Sequence, residues 1–148
     1  DTAKMSKSSG NFLTLQTLID KGYDPLDYRY FLLGAHYRSQ AKFSWDSMDS
    51  AKNSRKALVQ RAAKVFAFYD GKSVDESSLS EKAKDYLAKF TTAIENDLET
   101  PQALSYVQVA IKDSELQASE IVTIVRKMDE VLGLKIEECA KEFNKKSE

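Results

Sequence analysis

Residues 44–69 read SWDSMDSAKNSRKALVQRAAKVFAFY. Ser44 places a hydroxyl where a helix start leaves backbone N–H groups without intrahelical partners. No proline or glycine interrupts the run that follows. Met48, Ala51, Leu58, Ala62, Val65 and Tyr69 recur at the spacing that lines up one face of an α-helix. Lys52, Lys56 and Lys64 fall on the other side at multiples of four residues. The stretch predicts one long amphipathic helix from Trp45 to about Tyr69, which must bury its apolar face against other helices.

The flanks supply those partners. Upstream, Thr14 can cap a short helix that stops at Gly22. Asp24-Pro25 is a strong second start, an aspartate at the cap with proline in the first turn, for a helix to about His36. Its Leu26, Tyr30, Leu33 and Tyr37 share one side. Downstream, residues 70–79 read as a flexible connector rich in serine, with Gly71. Ser80 opens a helix through Tyr86, Leu87, Phe90 and Ile94. Thr100-Pro101 opens another with Leu104, Val107 and Ile111. Ser119 caps a third with Ile121, Ile124, Val125, Met128 and Leu132, ended by Gly133. Residues 135–148 are charged around Ile136 and Phe143 and read as a tail or a frayed helix. No segment alternates with the period of a strand. The expected fold class is all-α: an antiparallel helix bundle over 45–134, preceded by a short connecting region over 1–44 and followed by the 135–148 tail.

Composition agrees. The 148 residues include only five glycines and two prolines, with 30% charged, as in a soluble helical protein. No apolar run approaches a bilayer span, and residues 1–20 hold no continuous apolar block of a secretory leader. One cysteine, Cys139, excludes an internal disulfide and fits a reducing cytoplasm. The net charge of −1 conceals a split: residues 1–69 hold eleven Lys/Arg against six Asp/Glu, and residues 70–148 eleven against seventeen. A polyanion is expected on the first half.

That half opens with Lys4-Met5-Ser6-Lys7-Ser8, followed by Ser9-Gly10-Asn11-Phe12. Two ammonium groups and two hydroxyls within five residues, with a glycine to bend the backbone just after, suit a segment that folds around a polyphosphate. Such donors matter most where negative charge grows during reaction, as on a departing pyrophosphate.

The five residues resemble the KMSKS signature of class I aminoacyl-tRNA synthetases, including the trailing Gly-Asn. Lys21-Gly22-Tyr23-Asp24-Pro25, Arg29-Tyr30-Phe31-Leu32-Leu33, Ala35-His36-Tyr37-Arg38-Ser39 and Phe43-Ser44 are similar to cysteinyl-tRNA synthetases in particular. So is Asn96-Asp97-Leu98-Glu99-Thr100-Pro101-Gln102-Ala103-Leu104, where Glu99 replaces the family's asparagine. Ser9 stands where the family commonly has a larger apolar residue. The resemblance runs from Lys4 to about Leu134. It implies a helical anticodon-binding domain of the DALR type behind the loop, and it implies ATP with Mg, L-cysteine and tRNA(Cys) as what the full-length enzyme handles in the cytoplasm, with no membrane.

By the same resemblance Lys7 meets the β/γ-phosphates and Lys4 supports it, the two being the catalytic candidates, with Ser6 and Ser8 shaping the ATP contact. Arg38, Lys42, Lys52, Lys56 and Lys64 are candidates for RNA phosphates, joined by Arg55 and Arg61. Tyr28, Tyr30, Phe31, Tyr37 and Trp45 are spaced as core aromatics rather than base-stacking ones. The family's parallel α/β catalytic body and its His-x-Gly-His motif have no counterpart here. The substrate-binding zinc is expected in that body, and no metal site is expected in this chain: His36 and Cys139 are single, far apart and read as structural. The chain is therefore expected to be inactive alone. Two other readings stay open: a non-catalytic helical RNA-binding module, and a related cysteine ligase that does not use tRNA.

Overall fold

The computed structural model describes residues 14–35, 43–96 and 99–146. Seven α-helices account for most of them: α1 (Leu15–Asp20), α2 (Pro25–Leu33), α3 (Trp45–Phe68), α4 (Glu81–Glu95), α5 (Thr100–Ala110), α6 (Ala118–Leu132) and α7 (Ile136–Lys146). No strand occurs among the described residues, as the helical periodicity requires.

The starts follow from local chemistry. The Thr14 hydroxyl accepts the Thr17 N–H at 3.0 Å, and the Ser80 hydroxyl accepts that of Ala83 at 3.3 Å. Asp24 accepts the Leu26 N–H at 2.8 Å while Asp27 reaches back to the Asp24 N–H at 2.9 Å, so each satisfies an orphan donor of α2. Ser44 accepts the Ser47 N–H at 3.0 Å at the head of α3. Gly22 and Gly133 both adopt positive φ, at 94° and 65°, where a side chain is strained, and they turn the chain after α1 and α6.

Three boundaries differ from the sequence reading. The second helix ends at Leu33, and the expected continuation to His36 and Tyr37 lies outside the described residues. The sixth starts at Ala118 with Gln117 as its cap, so Ser119 stands inside the helix. Glu120 decides this, because its carboxylate accepts the Gln117 N–H at 3.2 Å. The charged tail is an ordered helix through Lys146 that buries Ile136 and Ala140. The connector over 70–79 also has structure: a short 3-10 turn at Glu76–Ser78 delivers a buried Leu79.

The chain divides into two compact units, residues 1–55 and 56–148, with the boundary inside α3. In the first, Leu18, Tyr23 and Met48 form the core, with Tyr28, Phe31, Phe43 and Trp45 packed around them. Tyr23 stacks on Trp45 at 5.9 Å, and Phe43 meets the Trp45 ring edge-on at 5.0 Å. In the second unit α4 packs on α5 and α6, and α5 and α7 each pack on α6. The last of these is central: Ile121, Val122, Ile124, Val125, Met128 and Leu132 are all buried. Each such side chain contributes about 1.5–3 kcal/mol when taken from water. Glu120, also buried, accepts the Ser80 N–H at 2.6 Å and so joins the start of α4 to the start of α6. Burial by itself would raise its carboxyl, but the N–H groups of Ser80 and Gln117 outweigh it and hold the group below its ordinary value.

Candidate nucleic-acid interface

Lys4, Ser6, Lys7 and Ser8 lie outside the described residues, as do Arg38 and Lys42. The remaining candidates belong to α3, and the helix treats them differently. Lys56, Arg61 and Lys64 are exposed, standing in the second unit. Lys52 belongs to the first unit and sits at the flank of the apolar seam rather than opposite it. Its ammonium donates to the Gly22 carbonyl at 3.2 Å and lies 5.2 Å from the centroid of the Tyr23 ring. Lys21, not among the candidate RNA contacts, lies 4.7 Å over Trp45. Two ammonium groups thus flank the stacked Tyr23–Trp45 pair, a favourable placement against the rings' negative faces.

Arg55 has a different role from its neighbours. It follows Met48 and Ala51 along the buried side of α3, and its Nε donates to Asp27 Oδ1 at 2.8 Å. Asp27 is only 2% exposed, and between Arg55 and the Asp24 N–H both its oxygens are engaged. An arginine committed to a buried carboxylate is a structural cation. Beside it, the Tyr23 hydroxyl donates to Asp49, and that bond to a carboxylate pushes the phenol up to about 12. The aromatics behave as core: Tyr30 is buried, Tyr28, Phe31 and Trp45 are half-buried in the cluster, and Tyr37 lies outside the described residues.

The second unit holds two charged constellations that sequence spacing did not reveal. Asp113, in the turn between α5 and α6, accepts from the Tyr86 hydroxyl at 2.6 Å and the Lys82 ammonium at 2.9 Å. These bonds, with that from the Glu115 N–H, bring its carboxyl down to about 2. Arg126 grips Glu137 with two parallel bonds of 2.8 Å, and Lys141 meets the same carboxylate at 2.8 Å. The Arg126 fork is the chief reason the Glu137 carboxyl falls to about 2. Cys139 is half-buried on α7. Among the described residues no three His, Cys, Asp or Glu side chains converge as metal ligands, and no helix is long and apolar enough to cross a membrane.

Residues 1–53 match the family model described as the tRNA synthetases class I (C) catalytic domain. Over 151 aligned residues the chain is 41% identical to a cysteine–tRNA ligase of Treponema denticola, covering 90% of this chain and 30% of that protein. Over nine-tenths of its length the chain is similar to cysteine–tRNA ligases. It is also 38% identical to a cysteine–tRNA ligase of Borrelia turicatae, over 91% of this chain and 29% of that protein. A third, from Zymomonas mobilis, is 35% identical over 91% of this chain and 32% of that protein. The chain therefore spans about 30% of the length of the relatives it matches. The match to the family's catalytic-domain model stops two residues short of the unit boundary at Arg55, so the family's signature falls on the first unit and the helices from α4 onward lie beyond it.

Proposed function

We propose that the protein to which this chain belongs joins L-cysteine to tRNA(Cys), using ATP and passing through cysteinyl-adenylate. The carrying observation is the similarity of nine-tenths of the chain to cysteine–tRNA ligases. In this reading the cysteine carboxylate attacks the α-phosphorus of ATP, and pyrophosphate leaves. Lys7 meets the β/γ-phosphates as charge develops there, and Lys4 adds a second cation. Ser6 and Ser8 shape the loop and donate short hydrogen bonds. Magnesium accompanies the ATP, and the site of action is the cytoplasm. The helices carry tRNA: the exposed Lys56 and Lys64, with Lys52, Arg38 and Lys42, supply phosphate contacts that give affinity without reading bases.

A segment exchange tests this. The chain replaces the matching segment of the Treponema denticola ligase, and aminoacylation of tRNA(Cys) is measured. The exchange should restore activity, and Lys7→Ala in it should slow cysteine-dependent ATP–pyrophosphate exchange by roughly a hundredfold while changing ATP affinity much less. A folded exchange protein that charges no tRNA, or an unaffected Lys7→Ala, would contradict the reading.

A further inference from the structure

Between α4 and α6 of the second unit lies an open groove of about 540 Å³. Phe90 and Met128 make its floor, at 3% and 0% exposure, and the α4 wall carries the small side chains Ala88 and Thr91 beside Leu87. Val131 of α6 stands at its edge with half of its surface in water. We propose that this face pairs with the same face of a second copy of the chain. The two α6 helices run antiparallel across a twofold axis, and Val131 of each sits in the groove of the other. The proposal uses neither RNA nor catalysis, so it stands apart from the function proposed above.

Three observations carry it. First, knob and hole share one face. Val131 projects from α6, and α4 leaves space above Phe90 and Met128 by offering an alanine and a threonine where larger side chains would fill it. A twofold contact needs both, because whatever one copy presents the other must receive. Second, the charges match themselves. Lys127, Glu130 and Val131 are all exposed, and Lys127 lies one helical turn from the other two, so the three share a side of α6. Antiparallel pairing about a point between Lys127 and Glu130 sets each lysine against the other copy's glutamate and makes two ion pairs at once. Parallel pairing would set like against like. Third, Lys127 is already held at the rim. Its ammonium meets Glu76 at 2.6 Å. An ammonium has three donors, so a second carboxylate can join without breaking the first contact. The rim therefore runs acidic, basic, acidic across Glu76, Lys127 and Glu130. A uniformly basic partner would be repelled by Lys127, and a uniformly acidic one by the two glutamates, whereas α6 itself brings one charge of each sign at the matching spacing. One helix face from each copy makes a contact below about 1,200 Å² in total, the class of weak, reversible association.

Sedimentation equilibrium of the 148-residue chain should show its average mass rising from 16.7 kDa toward twice that value, with a dissociation constant on the order of 100 μM. Val131→Glu, at a half-exposed position, should weaken pairing about tenfold or more while circular dichroism stays unchanged. Lys127→Glu and Glu130→Lys each set like charges together and should be monomeric on their own. Mixed in equal amounts they should pair again, since each then supplies the charge the other lacks. A merely destabilised fold could not give that recovery. A chain that stays monomeric at about 1 mM overturns the proposal. So does a dimer that none of the three substitutions weakens, which would sit on another face. If the ligase carrying this segment by exchange stays monomeric where the 148-residue chain pairs, another part of the longer polypeptide fills the groove and the second-copy assignment falls.

Discussion

Asp27 shows how much one side chain can hold. It accepts the Asp24 N–H, pairs with Arg55 from a position 28 residues away, and its side chain is 3% exposed against 16% for that of its partner. Removing one member of such a pair strands the other charge, so Asp27→Ala should cost about 3 kcal/mol. Trp45, the sole tryptophan, packs in the same unit, and its emission during urea unfolding is the readout; a loss under about 1 kcal/mol would mean the pair is dispensable. The helix caps at Thr14, Asp24 and Ser80 were readable because capping is local chemistry. The role of Arg55 was not, since periodicity marks a polar residue on an apolar face without naming what it meets. The same holds for Asp113 and Glu137. Both carboxyls titrate at about 2 in the folded chain, below their ordinary 3.8 and 4.5. Between those limits the unfolded chain binds more protons, so their contribution is full above about pH 5 and disappears as the pH falls toward 2. The melting temperature should therefore drop across that window. Glu137→Gln should start lower and lose less on acidification, as thermal melts followed by circular dichroism would register; an equally steep drop would remove Glu137 from the explanation.

At the scale of elements, the turn between α6 and α7 decides whether residues 135–146 are helix or tail. Gly133 turns the chain in the left-handed region, and Lys135 follows with φ of 55°. Asp129 then accepts the N–H of Leu134 at 2.7 Å and that of Ile136 at 2.8 Å. One carboxylate thus pins the exit of one helix and the start of the next, and Leu134 and Ile136 are sealed at 2% and 1% exposure. Asp129→Ala removes both bonds and should cost about 2–3 kcal/mol. Hydrogen exchange should show the α7 amides opening faster while those in the middle of α4 keep their protection. Uniform loss across both helices would mean that α7 does not depend on this hinge. Sequence alone left α7 undecided because its anchors are sparse, Ile136 and Phe143 among charges. Packing on α6 turns a weak stripe into a helix.

For the molecule as a whole, the chain covers about 30% of its relatives, and its described residues form helices and their connectors with no strand. It should give no cysteine-dependent ATP–pyrophosphate exchange by itself; measurable exchange from the 148-residue chain would overturn the view that catalysis needs the family's α/β body. The charge split led to the expectation of a polyanion on the first half, where Lys56 and Lys64 are exposed. Arg126, Lys141 and Lys145 line one open groove with Phe66 and Tyr69, so folding regroups cations that are scattered along an acidic segment. Sequence by itself determined the helical class, most helix starts and the family resemblance, because periodicity, caps and contiguous motifs act between residues within a few positions of one another. Only the tertiary structure decided that Arg55 serves a buried carboxylate, that the last residues form α7, and that two rings and three cations line one groove. Those outcomes depend on side chains brought together from distant parts of the chain, and a partner that far away leaves no mark on local spacing.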